Sequence, residues 1–175
     1  MGISTGMRIG EIGALYYSDI YDGLIHVERT VTRDESGGFV IGEDAKTRQG
    51  RRTIPLNSSI KDIIESQKAA NEVLYGSVAE IKETLFKAPD GGLLSSSSIN
   101  REIDHICDYN RIEKFTFHAL RATFATRLIE AGVNPRTVQE LLGHADYAIT
   151  MNLYGHVVDD TKKDAMEKIG ITLKI

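Results

Sequence analysis

The second half of the chain spells out helices together with their starts and stops, and this limits the fold more than any other feature. Beyond Lys114, apolar residues recur at helical spacing through 117–131, 135–142, 148–154 and 159–169. Gly132 stops the first of these, and Asn134-Pro135 opens the second as N-cap and first helical residue. Upstream, 58–75 carries Ile60, Ile63, Ile64, Val73 and Leu74 in the same period, and Ser98 is expected to cap a helix containing Ile99, Ile103, Ile106 and Cys107. The first third obeys a different rule. Residues 24–31 alternate in the manner of a strand, 34–38 (Asp-Glu-Ser-Gly-Gly) make a turn, and 39–41 return as a short strand. A second turn around Gly50 separates 44–48 from 51–56, with Pro55 closing the strand. The pattern predicts an α+β chain, mainly α with a small antiparallel β-sheet, and residues 1–175 form one domain without repeat or linker. Near the start, Ile9, Ile12 and Leu15 give helical spacing over 8–16, while Ile3 to Met7 reads as the end of a preceding element with Gly6 as its C-cap. The chain is therefore expected to be a fragment of a longer protein.

Several functions lack the residues they need. The single cysteine, Cys107, builds neither an internal disulfide nor a cysteine-rich zinc site, and the five histidines show no HExxH spacing. No GxxxxGK[ST] or GxGxxG is present, and no apolar run approaches the roughly 20 residues of a membrane span. The expectation is a cytoplasmic protein with no metal, no cofactor and no membrane partner. A net charge of -4 argues against nucleic acid until its location is considered. Residues 1–43 carry three basic and seven acidic side chains, and 57–110 carry five and nine. Between them, Lys46, Arg48, Arg51 and Arg52 stand against Asp44 alone, and 111–136 hold five basic residues against two acidic ones. Two basic islands in an acidic chain fit one face that meets an anion; they also fit solvated surface.

His118 and Arg121 are three apart, so they share one face of a helix or its first turn, leaving Leu120, Phe124 and Leu128 as the apolar, buried face. An imidazole and a guanidinium beside helix N–H groups suit a phosphate. A capping histidine next to a surface arginine has the same spacing. Further along, Leu141-Leu142-Gly143-His144 ends one helix, and Tyr154-Gly155-His156 follows ten residues later.

In this order the segments resemble the catalytic domain of the tyrosine recombinases, the phage-integrase family. Thr5-Gly6-Met7-Arg8-Ile9-Gly10-Glu11 looks like the first arginine box, and Ala45-Lys46-Thr47 with Arg51-Arg52-Thr53-Ile54-Pro55-Leu56 is similar to the β-hairpin lysine motif. His118-x-x-Arg121 matches the second box, Leu141-Leu142-Gly143-His144 the third, and Tyr154 stands where the nucleophile belongs. Ala122 departs from a histidine often found there, at a position without a catalytic role. The ending resembles integrases of conjugative transposons and related mobile elements.

The resemblance implies the fold of DNA breaking-rejoining enzymes, N-terminally truncated, without the core-binding and arm-binding domains or the first catalytic-domain helices. It implies strand cleavage and rejoining through a 3′-phosphotyrosine on Tyr154, without cofactor or metal. His118 would accept the phenol proton, Arg8 and Arg121 would hold the non-bridging oxygens, Lys46 would protonate the leaving 5′-oxygen, and His144 would hydrogen-bond the phosphate. Arg48, Arg51 and Arg52 are read as DNA contacts. The implied partners are double-stranded DNA and, for the full-length enzyme, three further copies in a tetramer, in the bacterial cytoplasm at the nucleoid. A type IB topoisomerase and a non-catalytic integrase-derived binding module are the alternatives. Residues 169–175 alternate like a half-buried strand, suited to exchange between protomers or to packing on their own domain.

Overall fold

A computed structural model describes residues 1–43, 51–76, 83–144, 146–154 and 169. The first element, α1 (Gly2–Thr5), ends on Gly6, whose φ of 64° is left-handed. A Cβ on Gly6 would lie 2.4 Å from the Phe124 ring and 2.9 Å from a Leu142 methyl. Only glycine satisfies both the turn and the close approach. Helix α2 (Ile9–Gly13) is shorter than the apolar spacing predicts. Its continuation is taken instead by pairing with a distant segment, the Leu85 N–H donating to Leu15 O and Tyr16 bridging Thr84.

The expected single sheet is two. Strands β1 (Ile20–Tyr21), β2 (Leu24–Val27) and β5 (Arg52–Pro55) form an antiparallel sheet in the order β1-β2-β5, and β3 (Arg29–Arg33) pairs with β4 (Phe39–Glu43) as a separate hairpin. The alternation read across 24–31 breaks at Glu28, so one strand becomes two. Ile25 faces Ile54 and Val27 faces Arg52 across the first sheet. This pairing brings Arg52 to the inner edge of the domain.

Helix α3 (Ser58–Tyr75) begins where expected, the Asn57 side chain accepting from Ile60 N at 2.9 Å. Helix α4 (Ser96–Asn110) starts earlier than its predicted cap: Ser95 accepts from the Ser98 N–H, and the Ser98 hydroxyl accepts from Ser95 N at 3.0 Å. The reciprocal bonding makes Ser98 the third helical residue rather than the cap. The run then closes with α5 (Phe117–Glu130), α6 (Pro135–Leu142) and α7 (Tyr147–Tyr154). The helix expected over 159–169 and the strand over 169–175 lie outside the described residues, apart from Ile169, which is helical.

Most buried apolar side chains join one cluster that includes Met7, Leu15, Ile25, Ile54, Ile60 and Leu85, so the N-terminal helices, the sheet and α3 share a core. A smaller cluster, Ala125, Val138 and Leu142, locks α5 to α6. The candidate site lies where the two meet.

Candidate functional site

Arg8 caps α2, His118 and Arg121 ride the first turns of α5, and His144 follows the left-handed Gly143 that terminates α6. With Ala122, Ala125 and Leu142, these four side chains line one cleft of about 290 Å³. Sequence separations above one hundred residues have thus been folded away. Tyr154 is the last residue of α7, and its side chain lies outside what the structure describes, as do Lys46 and Arg48 entirely. The sequence-expected Arg51 and Arg52 line a neighbouring cleft with Arg136, Gln139 and His144.

Arg121 reverses the expected amphipathicity of α5. The buried stripe is Phe117, Arg121, Ala125 and Ile129, while Leu120, Phe124 and Leu128 are only partly buried. A guanidinium enters this stripe because two backbone carbonyls receive it: Arg121 Nη1 donates to Gly6 O, and Nη2 donates to Leu142 O at 2.6 Å. Both carbonyls sit at helix ends, where acceptors have no intrahelical partner. Burial, and then the charge of Arg8, pushes the Arg121 guanidinium down to about 10; Glu11 opposes that shift and Arg52 adds to it. It remains a cation at neutral pH.

Glu11 organises the other charges. Its carboxylate is wholly buried and accepts from two arginines: Oε1 from Arg8 Nη1 and Arg52 Nη1, both at 2.8 Å, and Oε2 from Arg52 Nη2 at 2.8 Å and the Arg8 backbone N at 2.7 Å. Burial alone would raise its pKa, but the Arg52 hydrogen bonds and charge, joined by Arg8, hold it below the usual carboxylate value. Arg8 keeps 44% of its side chain exposed and donates from Nη2 to Gly143 O at 3.1 Å. Arg52, expected to meet DNA, instead has a side chain 6% exposed and turned inward to Glu11, with Nε donating to Leu141 O at 2.7 Å.

His144 is held neutral. Burial first, then the positive charges of Arg121, Arg8 and Arg52 and the nearby His118, push its imidazole down to about 4. Its Nδ1 lies 3.0 Å from the hydroxyl of the fully buried Thr150 on α7. Thr150 lies one helical turn before the end of α7, so this contact ties the helix that ends at Tyr154 to His144.

Such a site presents fixed cations and a neutral imidazole around a concave surface open at Arg8 and His118, the arrangement that holds a tetrahedral or pentacoordinate oxyanion. Among the described residues, no group of three or more His, Cys, Asp or Glu side chains is placed to hold a metal ion. Sequence reasoning assigned no role to Glu11 or Thr150. The one signal for Glu11 was its place three residues after Arg8 in the first arginine box.

Fold and site together define the catalytic-domain class of the tyrosine recombinases, and residues 2–161 match the model of the phage integrase family. The chain belongs to that family. It is 31% identical over 186 residues to the "Tyrosine recombinase XerC-like" protein of Caldanaerobacter subterraneus subsp. tengcongensis, covering 97% of this chain and 47% of that protein. It is 28% identical over 179 residues to the "Transposase from transposon Tn916" of Enterococcus faecalis, covering 95% and 43%. Among solved structures, residues 82–397 of the Tn1549 transposon integrase, in complex with circular intermediate DNA, superimpose with a TM-score of 0.80 at 28% identity, covering 96% of this chain and 57% of that one. The chain thus spans about half the length of these curated relatives.

Proposed function

We propose that this chain is the catalytic domain of a site-specific DNA recombinase of a bacterial mobile element, cleaving and rejoining DNA through a 3′-phosphotyrosine. The observation that carries the reading is the convergence of Arg8, His118, Arg121 and His144 on one cleft, with α7, the helix that ends at Tyr154, tied to His144 by the Thr150 contact. Tyr154 attacks the scissile phosphorus. A phenol of pKa near 10 lies about 4 kcal/mol from phenolate at pH 7, which a base and strong positive potential must supply. His118, exposed at the start of α5, takes the proton.

Arg8 and Arg121 neutralise charge growing on the non-bridging oxygens. Neutral His144, with Nδ1 bonded to the Thr150 hydroxyl, turns Nε2 to the phosphate; in the tautomer that donates there, Nδ1 accepts from Thr150. Lys46 protonates the departing 5′-oxygen, so the P–O bond to the sugar breaks as the P–O bond to tyrosine forms. Attack by a free 5′-hydroxyl reverses these steps, and the retained phosphodiester energy removes any need for ATP. Arg48 and Arg51 contact the DNA backbone. The chain spans about half of its curated relatives, which fits a longer protein; the proposal extends to further DNA-binding domains and to a tetramer on DNA in the bacterial cytoplasm at the nucleoid. Relatives named as recombinases and transposases do not favour a topoisomerase or a catalytically silent module.

The test uses a duplex nicked near the scissile phosphate, with adducts resolved on a denaturing gel. Wild-type protein forms a covalent adduct; Tyr154→Phe forms none yet binds DNA with nearly unchanged affinity, since binding rests on cations and phosphates. Adducts from Tyr154→Phe at the wild-type rate overturn the assignment.

A further inference from the structure

We propose that Arg52 is a positioning residue rather than a DNA contact: through Glu11 it fixes the Arg8 guanidinium against the turn that carries His144. The inference deepens the recombinase reading and rests on it for its kinetic consequences. Its structural ground is a closed circuit. Arg52 donates from Nη1 and Nη2 to the two oxygens of Glu11, and the same two oxygens accept from Arg8 Nη1 and Arg8 N. Arg8 donates in turn to Gly143 O, and Arg52 Nε donates to Leu141 O, two residues earlier in the same turn. One buried guanidinium therefore joins the start of β5, the start of α2 and the end of α6.

The chemistry of the fork explains why arginine stands here. A bidentate pair with a carboxylate leaves Nε free to donate sideways, a geometry that a lysine ammonium does not reproduce. The adjacent backbone is shaped to it as well. Gly143 has φ 64°, and a Cβ there would lie 3.0 Å from Arg52 Nη1 and 3.2 Å from Cδ. Any side chain at 143 would press on the Arg52 stem. Arg52 lines a cleft together with His144, yet among the described residues its hydrogen bonds go to Glu11 and Leu141 O. Arg8, half exposed, is left to face the phosphate in one orientation.

A phosphate contact and a positioning residue leave different traces. Binding to duplex DNA is measured against salt for wild type, Arg52→Gln and Glu11→Gln, and single-turnover adduct formation is followed on a nicked duplex at saturating DNA. The rate constant refers to the folded fraction, because loss of active protein lowers only the amplitude. Arg52→Gln is expected to leave the salt slope unchanged and to lower the saturated rate constant about 100-fold, the scale of a 1 Å misplacement. Glu11→Gln should show a similar loss, and the double variant should be no slower than the worse single one. If Arg52→Gln fails to fold, Arg52→Lys decides: a saturated rate at least tenfold below wild type supports the proposal, and a wild-type rate overturns it. A salt slope shallower by about 0.9, with the rate recovered by added DNA, also overturns it, because that is one lost phosphate contact. Should wild-type protein form no adduct, the recombinase reading fails. The salt slope, and the non-additivity of Arg52→Gln with Glu11→Gln in thermal unfolding, then decide the Arg52 role alone.

Discussion

Replacing Glu11 by glutamine is expected to be among the most damaging single substitutions for stability. Its carboxylate is 0% exposed and its partner Arg52 is 6% exposed, so the pair does not belong with surface ion pairs of small value. Glutamine keeps the shape but accepts through only one oxygen, and its amide N–H₂ would point at one of the two guanidinium groups that now donate. Removing one partner of a buried pair costs about 3–5 kcal/mol, because the other charge stays buried and uncompensated. For a chain of this size, each kcal/mol moves Tm by roughly 2–4 °C, giving a drop of about 6–20 °C at pH 7. The sign with pH follows from the lowered carboxyl pKa of Glu11. The contribution is fully present above the ordinary unfolded value near 4.5 and is lost as pH falls through the folded value. Wild type and Glu11→Gln should therefore differ most above pH 5 and converge in acid. The assay is thermal unfolding followed by circular dichroism between pH 3 and 8, at low salt and at about 0.5 M salt. A difference below about 1 kcal/mol, or one abolished by salt, refutes the buried-clasp argument, since screening acts on exposed charges.

Thr150→Val keeps the volume but removes the hydroxyl bonded to His144 Nδ1; the adduct rate should fall about tenfold or more while Thr150→Ser restores it, with ¹⁵N spectra of His144 reporting the tautomer change. Because His144 is pushed down to about 4, it stays neutral through the physiological range, and its protonation should depress adduct formation only below about pH 5. An inflection near 6.5 that vanishes in His144→Gln would contradict this. Gly143→Ala should cost about 1–3 kcal/mol in denaturant unfolding, from its left-handed φ and the contact with Arg52; a neutral effect would contradict the close approach.

Much of the molecule can be read from one dimension. Gly132, Asn134-Pro135 and Gly143 mark their helix ends by local backbone chemistry, and the structure ends or begins helices at each. Where local rules compete with distant partners, the reading slips. Glu28 interrupts a pattern that alternation alone would continue, because Arg29 starts a hairpin of its own. The serine run offers four equivalent hydroxyls, and only tertiary placement selects Ser95 as the cap. At the site, the motif order singles out Arg8, His118, Arg121 and His144, and these four line one cleft. The burial of Arg52 and Arg121 was not legible. Charge ordinarily signals surface, and the acceptors that admit these two side chains are Glu11, marked only by its place in the first arginine box, and main-chain carbonyls, which carry no sequence signature.

Arg121 closes the turn after α1 and the end of α6 with the same guanidinium that faces the cleft. On the proposed reading, architecture and reactivity are thereby vested in one side chain. A descendant of this protein that had abandoned DNA cleavage would still need an arginine at 121 to satisfy Gly6 O and Leu142 O, so persistence of that residue is a marker of folding, not of activity. Exposed His118, which bridges no such carbonyls among the described residues, is the better diagnostic: on the proposed reading its loss would leave the scaffold standing and report a silenced enzyme.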